Sequence, residues 1–415
     1  RIRVEATSDT KKTLSSWLIF SQEYSPSHEA VRRFLEHRQL NPSSDEEKEK
    51  TYRDASRNRR VEAFFKLKEN GFPEFPKGGE AFALLPTNVK LPVGVHIQAD
   101  WLLTQSRQEF MDADLKTNVW HREIIMSIPK ISREFFRWIV GESGPASGDW
   151  IQIYKILPAL DEKALDSYSW FFGGDEGDPI TTSPFLQALQ KELFSECILP
   201  VHRPENSIDF KTPAEARLLP KSLNDYCGNE EMVPWELFGT EVVDTTFLEE
   251  KSLDTLAKLG LLSELTASEL EVLWKDGKVK TWYKNFSEQD RFSNLSSVLN
   301  GLAPLDSDLA WKSAKLACLP AQSGQFITRE DAILYPSDWI DITQDESLLT
   351  IMKDFLSDDE TMIDWNFQKH VQNSYTRATH FFKEITQYDL NIWAQVWWDS
   401  LPTEVLDPDL LDHIV

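Results

Sequence analysis

Between Leu91 and Leu103 the chain alternates, and few patterns restrict a fold as tightly. Leu91, Val93, Val95, Ile97, Ala99, Trp101 and Leu103 interleave with Pro92, Gly94, His96, Gln98, Asp100 and Leu102. Successive side chains of an extended chain point to opposite faces, so this spacing predicts a half-buried strand with one apolar face. Shorter runs of the same kind come earlier. Ile2, Val4 and Ala6 alternate with Arg3 and Glu5, and Val61, Ala63, Phe65 and Leu67 with Glu62, Lys66 and Lys68, where Phe64 interrupts the polar face. Pro76-Lys77-Gly78-Gly79 separates two strands. The first hundred residues therefore read as sheet, broken by a charged insert at 25–60. His28–His37 has helical patterning. Ser43–Arg60 mixes both charges densely and reads as a solvated helix or loop, not as a nucleic-acid patch built on Arg57, Arg59 and Arg60.

Beyond Phe110 the pattern turns helical. Trp120–Val140 places Ile124, Ile125, Ile128, Ile131, Phe135, Phe136 and Ile139 on one stripe, with a kink expected at Pro129. Ser183-Pro184 opens a helix expected to run to Cys197. Thr266-Ala-Ser-Glu269 is a capping box, its helix closed by Gly277, and Thr343-Gln-Asp-Glu346 repeats that signature before Leu348–Phe355. Trp393 and Trp397 share one face at helical spacing and read as core. One internal repeat stands out. Cys197-Ile-Leu-Pro200 leads to Phe210-Lys-Thr212, Ala216, Leu218 and Pro220. Cys318-Leu-Pro320 leads to Phe326-Ile-Thr328, Ala332, Leu334 and Pro336. Each copy reads as helix, strand, turn, strand and a short capped helix at the threonine, with both phenylalanines and both alanines buried. The spacing is too long for a solenoid of small units and fits two tandem α+β modules.

A chain of 415 residues exceeds what one core usually organises, so two or three domains are expected. The fold class is α+β: a sheet-rich domain over 1–140, then mainly helical modules over 141–235 and 236–415, each carrying a small hairpin. Charge divides at the same place. Residues 1–140 hold 23 basic and 20 acidic side chains, the remainder 21 and 48, within a net charge of −24. So acidic a body repels nucleic-acid backbones and anionic membranes, and a protein partner or client is the better expectation. The apolar runs are too short for a membrane span. Three cysteines, Cys197, Cys227 and Cys318, suit a reducing intracellular compartment, cytoplasmic or nuclear, which makes the sequons at Asn285 and Asn294 coincidental. An opening on Arg1 is expected of a fragment or a processed product.

Catalytic motifs are scarce. The sequence has no phosphate-binding glycine loop, no HExxH, no GxSxG and no CxxC. Gly173-Gly-Asp-Glu-Gly-Asp178 lacks the alternating ligands of a calcium loop and reads as an exposed acidic turn, so no metal site is expected. His96, Gln98 and Asp100 share one strand face that could line a site.

The segment Gly79–Phe110 carries the most specific signal. Leu85-Pro86-Thr87, then Ile97-Gln98-Ala99-Asp100-Trp101-Leu102-Leu103, then Ser106-Arg107-Gln108 and the looser Asn118-Val-Trp120 resemble the sacsin-like and No Vein-like family of GHKL-type ATPases. Val61–Leu67 resembles an earlier strand of that family. The hairpin repeats are similar in theme to its carboxy-terminal modules. The resemblance implies the region downstream of a nucleotide pocket, with Arg107 reaching the ATP γ-phosphate and Gln105 or Gln108 as helpers. A guanidinium supplied from a second domain can stabilise charge that builds on the phosphoryl oxygens. The sequence departs from the family turn at Gln108, where a glutamate is usual, although Glu109 follows. The helix with Glu and Asn and the Asp-x-Gly-x-Gly turn of the pocket are missing from residues 1–415. No cofactor is therefore expected in this chain, with ATP and magnesium bound only alongside an upstream nucleotide-binding domain. What the resemblance implies is coupling of ATP-driven closure to protein remodelling. The alternative from another class is a non-catalytic acidic scaffold for protein interaction.

Overall fold

The structure is a computed structural model. It describes residues 2–8, 11–37, 44–76, 78–104, 106, 109–110, 118–142, 144–145, 147–172, 182–201, 208–223, 235–238, 241–275, 277–335, 361–373 and 386–387. The architecture is mixed α+β, with a sheet-rich amino-terminal part followed by mostly helical segments and small hairpins. Two compact units emerge, one comprising 1–218 with 241–263, the other 219–240 with 264–415. The charge boundary near residue 140 falls inside the first unit.

Unit one is built on a seven-stranded sheet. Its strands are β1 (Ile2–Ser8), β2 (Lys11–Tyr24), β3 (Arg59–Leu67), β4 (Pro73–Glu74), β5 (Gly79–Ala83), β6 (Leu85–Leu91) and β7 (His96–Gln98). They lie in the order β1-β2-β3-β7-β5-β6, with β4 paired to β3, and only β5 and β7 run parallel. Between β2 and β3 the insert forms α1 (His28–His37) and α2 (Asp45–Ala55). Arg57 pairs with Asp54 at 3.0 Å and Arg60 with Glu23 at 3.1 Å, so the basic cluster is neutralised within the chain, as a solvated face requires.

The long alternation does not form one strand. Leu91 ends β6, and only His96–Gln98 is β7. Between them Pro92 lacks an N–H for the ladder, and the Gly94 N–H turns to the Lys155 carbonyl at 2.7 Å. A Cβ on Gly94 would stand 2.4 Å from that oxygen, so the crossing requires glycine. Burial follows the period only as far as Trp101. Leu91, Val93, Val95, Ile97, Ala99 and Trp101 are all buried, because the segment stays extended while its partners change, but Pro92 is buried as well, and at the end the phase reverses, with Leu102 buried and Leu103 only half-buried.

One sheet face is covered by α4 (Ile128–Ile139), whose Phe135 stacks on Phe65 at 5.0 Å and meets Phe20 edge-on at 5.9 Å. Trp120–Val140 is not a kinked helix but two, α3 (Val119–Ile125) and α4. Pro129 sits in the first turn of α4, where its missing N–H costs nothing, and the chain breaks just before it. The helix opened by Ser183, α5 (Pro184–Leu193), stops short of Cys197 because the chain enters β8 (Leu199–Val201). Arg137 grips Glu196 beyond its end through two bonds of 2.7 and 2.8 Å, and Arg133 bonds Glu192, locking α4 to α5. The Thr266–Glu269 capping box forms, and Gly277 takes φ 75°.

Each unit contains one copy of the repeat. In the first, β8 pairs with β9 (Asp209–Lys211), setting Pro200 opposite Phe210. In the second, β10 (Leu319–Pro320) pairs with β11 (Phe326–Ile327), setting Pro320 opposite Phe326. A third limb joins both. Val243 bridges Val201 and Val242 bridges Arg217, as Ile363 bridges Ala321 and Met362 bridges Ile333. Asp244 N–H donates to the Pro200 carbonyl at 2.9 Å, and Asp364 N–H to that of Pro320 at 2.8 Å. Both alanines are buried. Phe210 is buried against Trp150, whereas Phe326 remains half-exposed with its main ring contact at Tyr283, contrary to the sequence expectation. At Thr212 and Thr328 the capped element is a single turn, not a helix.

The third limb ends each time in an aspartate that caps the next turn. Asp244 accepts the Thr246 N–H at 3.0 Å and Asp364 the Phe367 N–H at 2.9 Å. Asp244→Ala and Asp364→Ala are each expected to cost about 1 kcal/mol in urea unfolding. A neutral effect at one site beside a full loss at the other would contradict the equivalence.

Candidate functional site

Sequence reasoning directs attention to the turn after Leu103. Gln105, Arg107 and Gln108 lie outside the described residues, as do Gly173–Asp178, Cys227, Thr343–Glu346 and the carboxy-terminal tryptophans. The base of the turn is well defined. Leu103 bridges Phe110, and the Thr104 N–H donates to the Glu109 carbonyl at 3.0 Å, closing a loop whose Ser106 and Glu109 are exposed. Thr104 and Ser106 hydroxyls stand 3.1 Å apart.

That base is held from below by the start of α3. Asn118 caps the helix by accepting the His121 N–H at 3.1 Å, Trp120 donates its indole N–H to the Asp100 carbonyl at 2.8 Å, and His121 Nε2 accepts the Leu102 N–H at 3.0 Å. An Nε2 that accepts leaves the proton on Nδ1, so the ring is neutral. His121 is wholly buried among aromatic rings, with Phe110 at 4.8 Å and Trp101 at 5.9 Å, and Trp101 stacks on Phe110 at 4.9 Å. Burial drives its pKa down to about 3, with a smaller push from His37. The looser part of the motif, Asn118-Val-Trp120, thus serves as the bracket for the strand end. His121 was missed in the sequence because a single histidine beside a tryptophan carries no spacing signal.

Beside this bracket lies a polar knot. Arg59 donates to Asp100 Oδ2 at 2.9 Å and to the carbonyls of Asp54 and Ala55 at 3.1 Å, closing the end of α2. Its guanidinium lies 5.6 Å from the rings of both Phe34 and Trp120, which stack at 4.3 Å. The Tyr24 hydroxyl is buried nearby. Desolvation, then the Asp100 and Glu123 carboxylates, holds it firmly protonated.

His96, Gln98 and Asp100 share a face but not a task. Asp100 serves Arg59. Gln98 Oε1 accepts the N–H of Leu84 at 3.1 Å, bracing a residue forced to φ 65° at the β5–β6 tip. His96 lies between Phe64 at 5.5 Å and Phe82 at 5.3 Å, and burial lowers its pKa. Phe64, the break in the polar face, belongs to an aromatic stripe from Trp17 to Phe82 on the sheet face opposite the one that α4 covers. Among the described residues, no three His, Cys, Asp or Glu side chains group as a metal site, and no helix is long and apolar enough to cross a membrane.

None of the protein-family models, curated proteins or solved structures compared with the chain matches it.

A neutral buried histidine links stability to pH. His121 stays unprotonated in the fold down to about pH 3, whereas in the unfolded chain it takes up a proton near pH 6.5. Its contribution is complete above pH 6.5 and declines as pH falls toward 3. Between pH 7.5 and 5 the wild type is expected to lose about 2 kcal/mol more than His121→Gln, which keeps an acceptor for Leu102 but cannot titrate. Equal losses in paired denaturant titrations would refute this assignment.

Proposed function

We propose that this chain is the portion of a sacsin-like, GHKL-type ATPase downstream of the nucleotide pocket, transmitting ATP-driven closure to a protein client. The observation that supports this reading is the turn from Thr104 to Glu109. Of the segments resembling the family, Leu85–Thr87 lies in β6 and Ile97–Gln98 in β7 of the same sheet, and the chain runs on through Leu103 into that turn. The turn's base is braced by buried groups, while Ser106 and Glu109 face solvent. A rigid base flanked by solvent-facing residues is what a sensor arm needs if it is to meet a phosphate held by another domain. On this reading Arg107 stabilises charge developing on the γ-phosphoryl group, Gln105 or Gln108 assists, and ATP with magnesium is bound by an upstream segment. The protein works inside the cell.

Two measurements test the proposal. Calorimetric titration of the 415-residue chain with ATP and magnesium is expected to give no saturable heat, and micromolar binding would overturn the assignment of the pocket to another segment. In a protein that also carries the pocket, Arg107→Ala is expected to reduce turnover by up to about 10³-fold while leaving ATP affinity nearly intact. Unchanged turnover together with a lower melting temperature would make Arg107 a structural residue instead.

The sheet face opposite α4 favours a second reading, the non-catalytic interaction scaffold. Trp17, Phe64, Phe82 and His96 are only half-buried there, and Leu84 and Leu85 at the β5–β6 tip are 89% and 60% exposed. Exposed apolar groups in a row mark contact surfaces. Absence of ATP turnover in the pocket-bearing protein would favour this reading.

A further inference from the structure

Asparagine is followed by glycine twice in the chain, at Asn70-Gly71 and at Asn300-Gly301, and the fold treats the two pairs differently. Asn70-Gly71 lies in the short loop of the β3–β4 hairpin, where Leu67 pairs with Pro73. The Gly71 N–H donates to the Lys68 carbonyl at 2.9 Å and the Lys68 N–H to that of Phe72 at 2.8 Å. Gly71 takes φ 82°, the left-handed conformation that closes such a loop. Asn70 is exposed, and a Cβ on Gly71 would meet nothing within 4 Å, so the junction between the two residues is open to water. The Asn70 amide is already oriented. Its Oδ1 accepts the Phe72 N–H at 3.0 Å, which draws electrons from Cγ, while Nδ2 keeps only a long bond of 3.4 Å to the Ser147 carbonyl. Asn300, by contrast, is buried within the helix Glu288–Leu302.

We propose that Asn70 is a site of spontaneous modification, at which the main-chain nitrogen of Gly71 displaces the side-chain amide and water completes the reaction. Deprotonated by hydroxide, that nitrogen attacks Cγ of Asn70. The bond from Cγ to Nδ2 breaks, and ammonia leaves with a proton returned by water. Water then opens the cyclic imide. Cleavage at Cγ gives aspartate, and cleavage at the main-chain carbonyl carbon gives isoaspartate, whose backbone is one methylene longer. Nothing is oxidised or reduced. One bond opposes the attack, since the Gly71 N–H must first leave the Lys68 carbonyl. In an exposed loop such opening costs little, whereas a rung of a buried helix opens only together with much of its surroundings. The outcome reaches beyond the loop. Phe72 is fully buried and meets Trp150 edge-on at 5.7 Å, and a Cβ on Gly148 would overlap its ring. Packed so closely, Phe72 cannot follow a lengthened turn, and isoaspartate at this position breaks the two backbone bonds of the loop instead. The proposal is independent of any nucleotide chemistry.

The test is to incubate the folded 415-residue chain at neutral and at mildly alkaline pH and to map its peptides by mass. Exchange of amide for carboxyl at Asn70 is expected to be at least about tenfold faster than at Asn300, because the two positions differ in the cost of local opening. The rate should rise with pH, since the deprotonated nitrogen is the nucleophile. Aspartate and isoaspartate peptides separate by chromatography, and both are expected because the imide opens at either bond. Asn70→Gln, which would have to close a larger ring, should stay unmodified. Amide hydrogen exchange at Lys68 and Gly71 is expected to quicken in step with the isoaspartate formed. Conversion seen only after unfolding in urea, or at equal rates at Asn70 and Asn300, would overturn the proposal. Aspartate as the sole product would mean direct hydrolysis and would overturn the imide route. Unchanged exchange at Lys68 and Gly71 in the modified chain would refute the opening of the loop.

Discussion

Burial of alternate side chains along the extended segment from Leu91 to Trp101 is the constraint on which the rest of unit one depends. Each Leu, Val or Ile removed from water there contributes roughly 1.5–3 kcal/mol, and this gain holds the segment extended. The backbone must still satisfy its own polar groups, and it does so by changing partners along the way. Leu91 pairs with Gly79, Gly94 bonds the Lys155 carbonyl, and Ile97 lies opposite both Ala63 and Ala81. Then Asp100 and Leu102 turn to Trp120 and His121. A side-chain pattern that looks uniform is thus served by four different hydrogen-bonding arrangements.

Where this segment ends determines where the turn after Leu103 is presented. The indole and imidazole of α3 hold the last residues from below, and Arg59 ties Asp100 to the end of α2. The charged insert between β2 and β3 is therefore more than a solvated excursion, because its final residue of α2 and the following arginine form part of the bracket. The neutral state of His121 belongs to the same arrangement. A protonated ring would lose its acceptor at Nε2 and place an uncompensated charge among Trp101 and Phe110.

The repeated modules show a similar division between pattern and geometry. The hairpin pairings and the phenylalanine-to-alanine spacing were visible as residue identities. The third limb, Val242-Val-Asp244 and Met362-Ile-Asp364, was not. It is too short to stand out, and its offset differs from that of the hairpin because the intervening loops differ in length. Only the shared bridges and the paired aspartate contacts reveal it. Differences between the copies are equally structural. In the second, Gln368 is buried and bonds both the N–H and the carbonyl of Tyr335, whereas the corresponding positions of the first hold the buried pair Leu219 and Leu248.

Residue identity alone determined the buried face of β3 and of the alternation as far as Trp101, and where helices begin at Ser183 and Thr266. These are local properties: they follow from side-chain period, capping chemistry and turn propensity within a few residues. Tertiary structure alone decided that the alternation divides at Pro92–Val95, that Pro129 starts a helix instead of bending one, and that Phe326 stays half-exposed. It also decided that His121 is the neutral prop under the turn. Each of these depends on which distant backbone arrives to pair or pack, as Lys155 does at Gly94 and Leu102 at His121. A partner sixty-one residues away in one case and nineteen in the other leaves no periodic trace in the sequence, because its contribution is a single hydrogen bond or contact whose geometry exists only once the chain has closed.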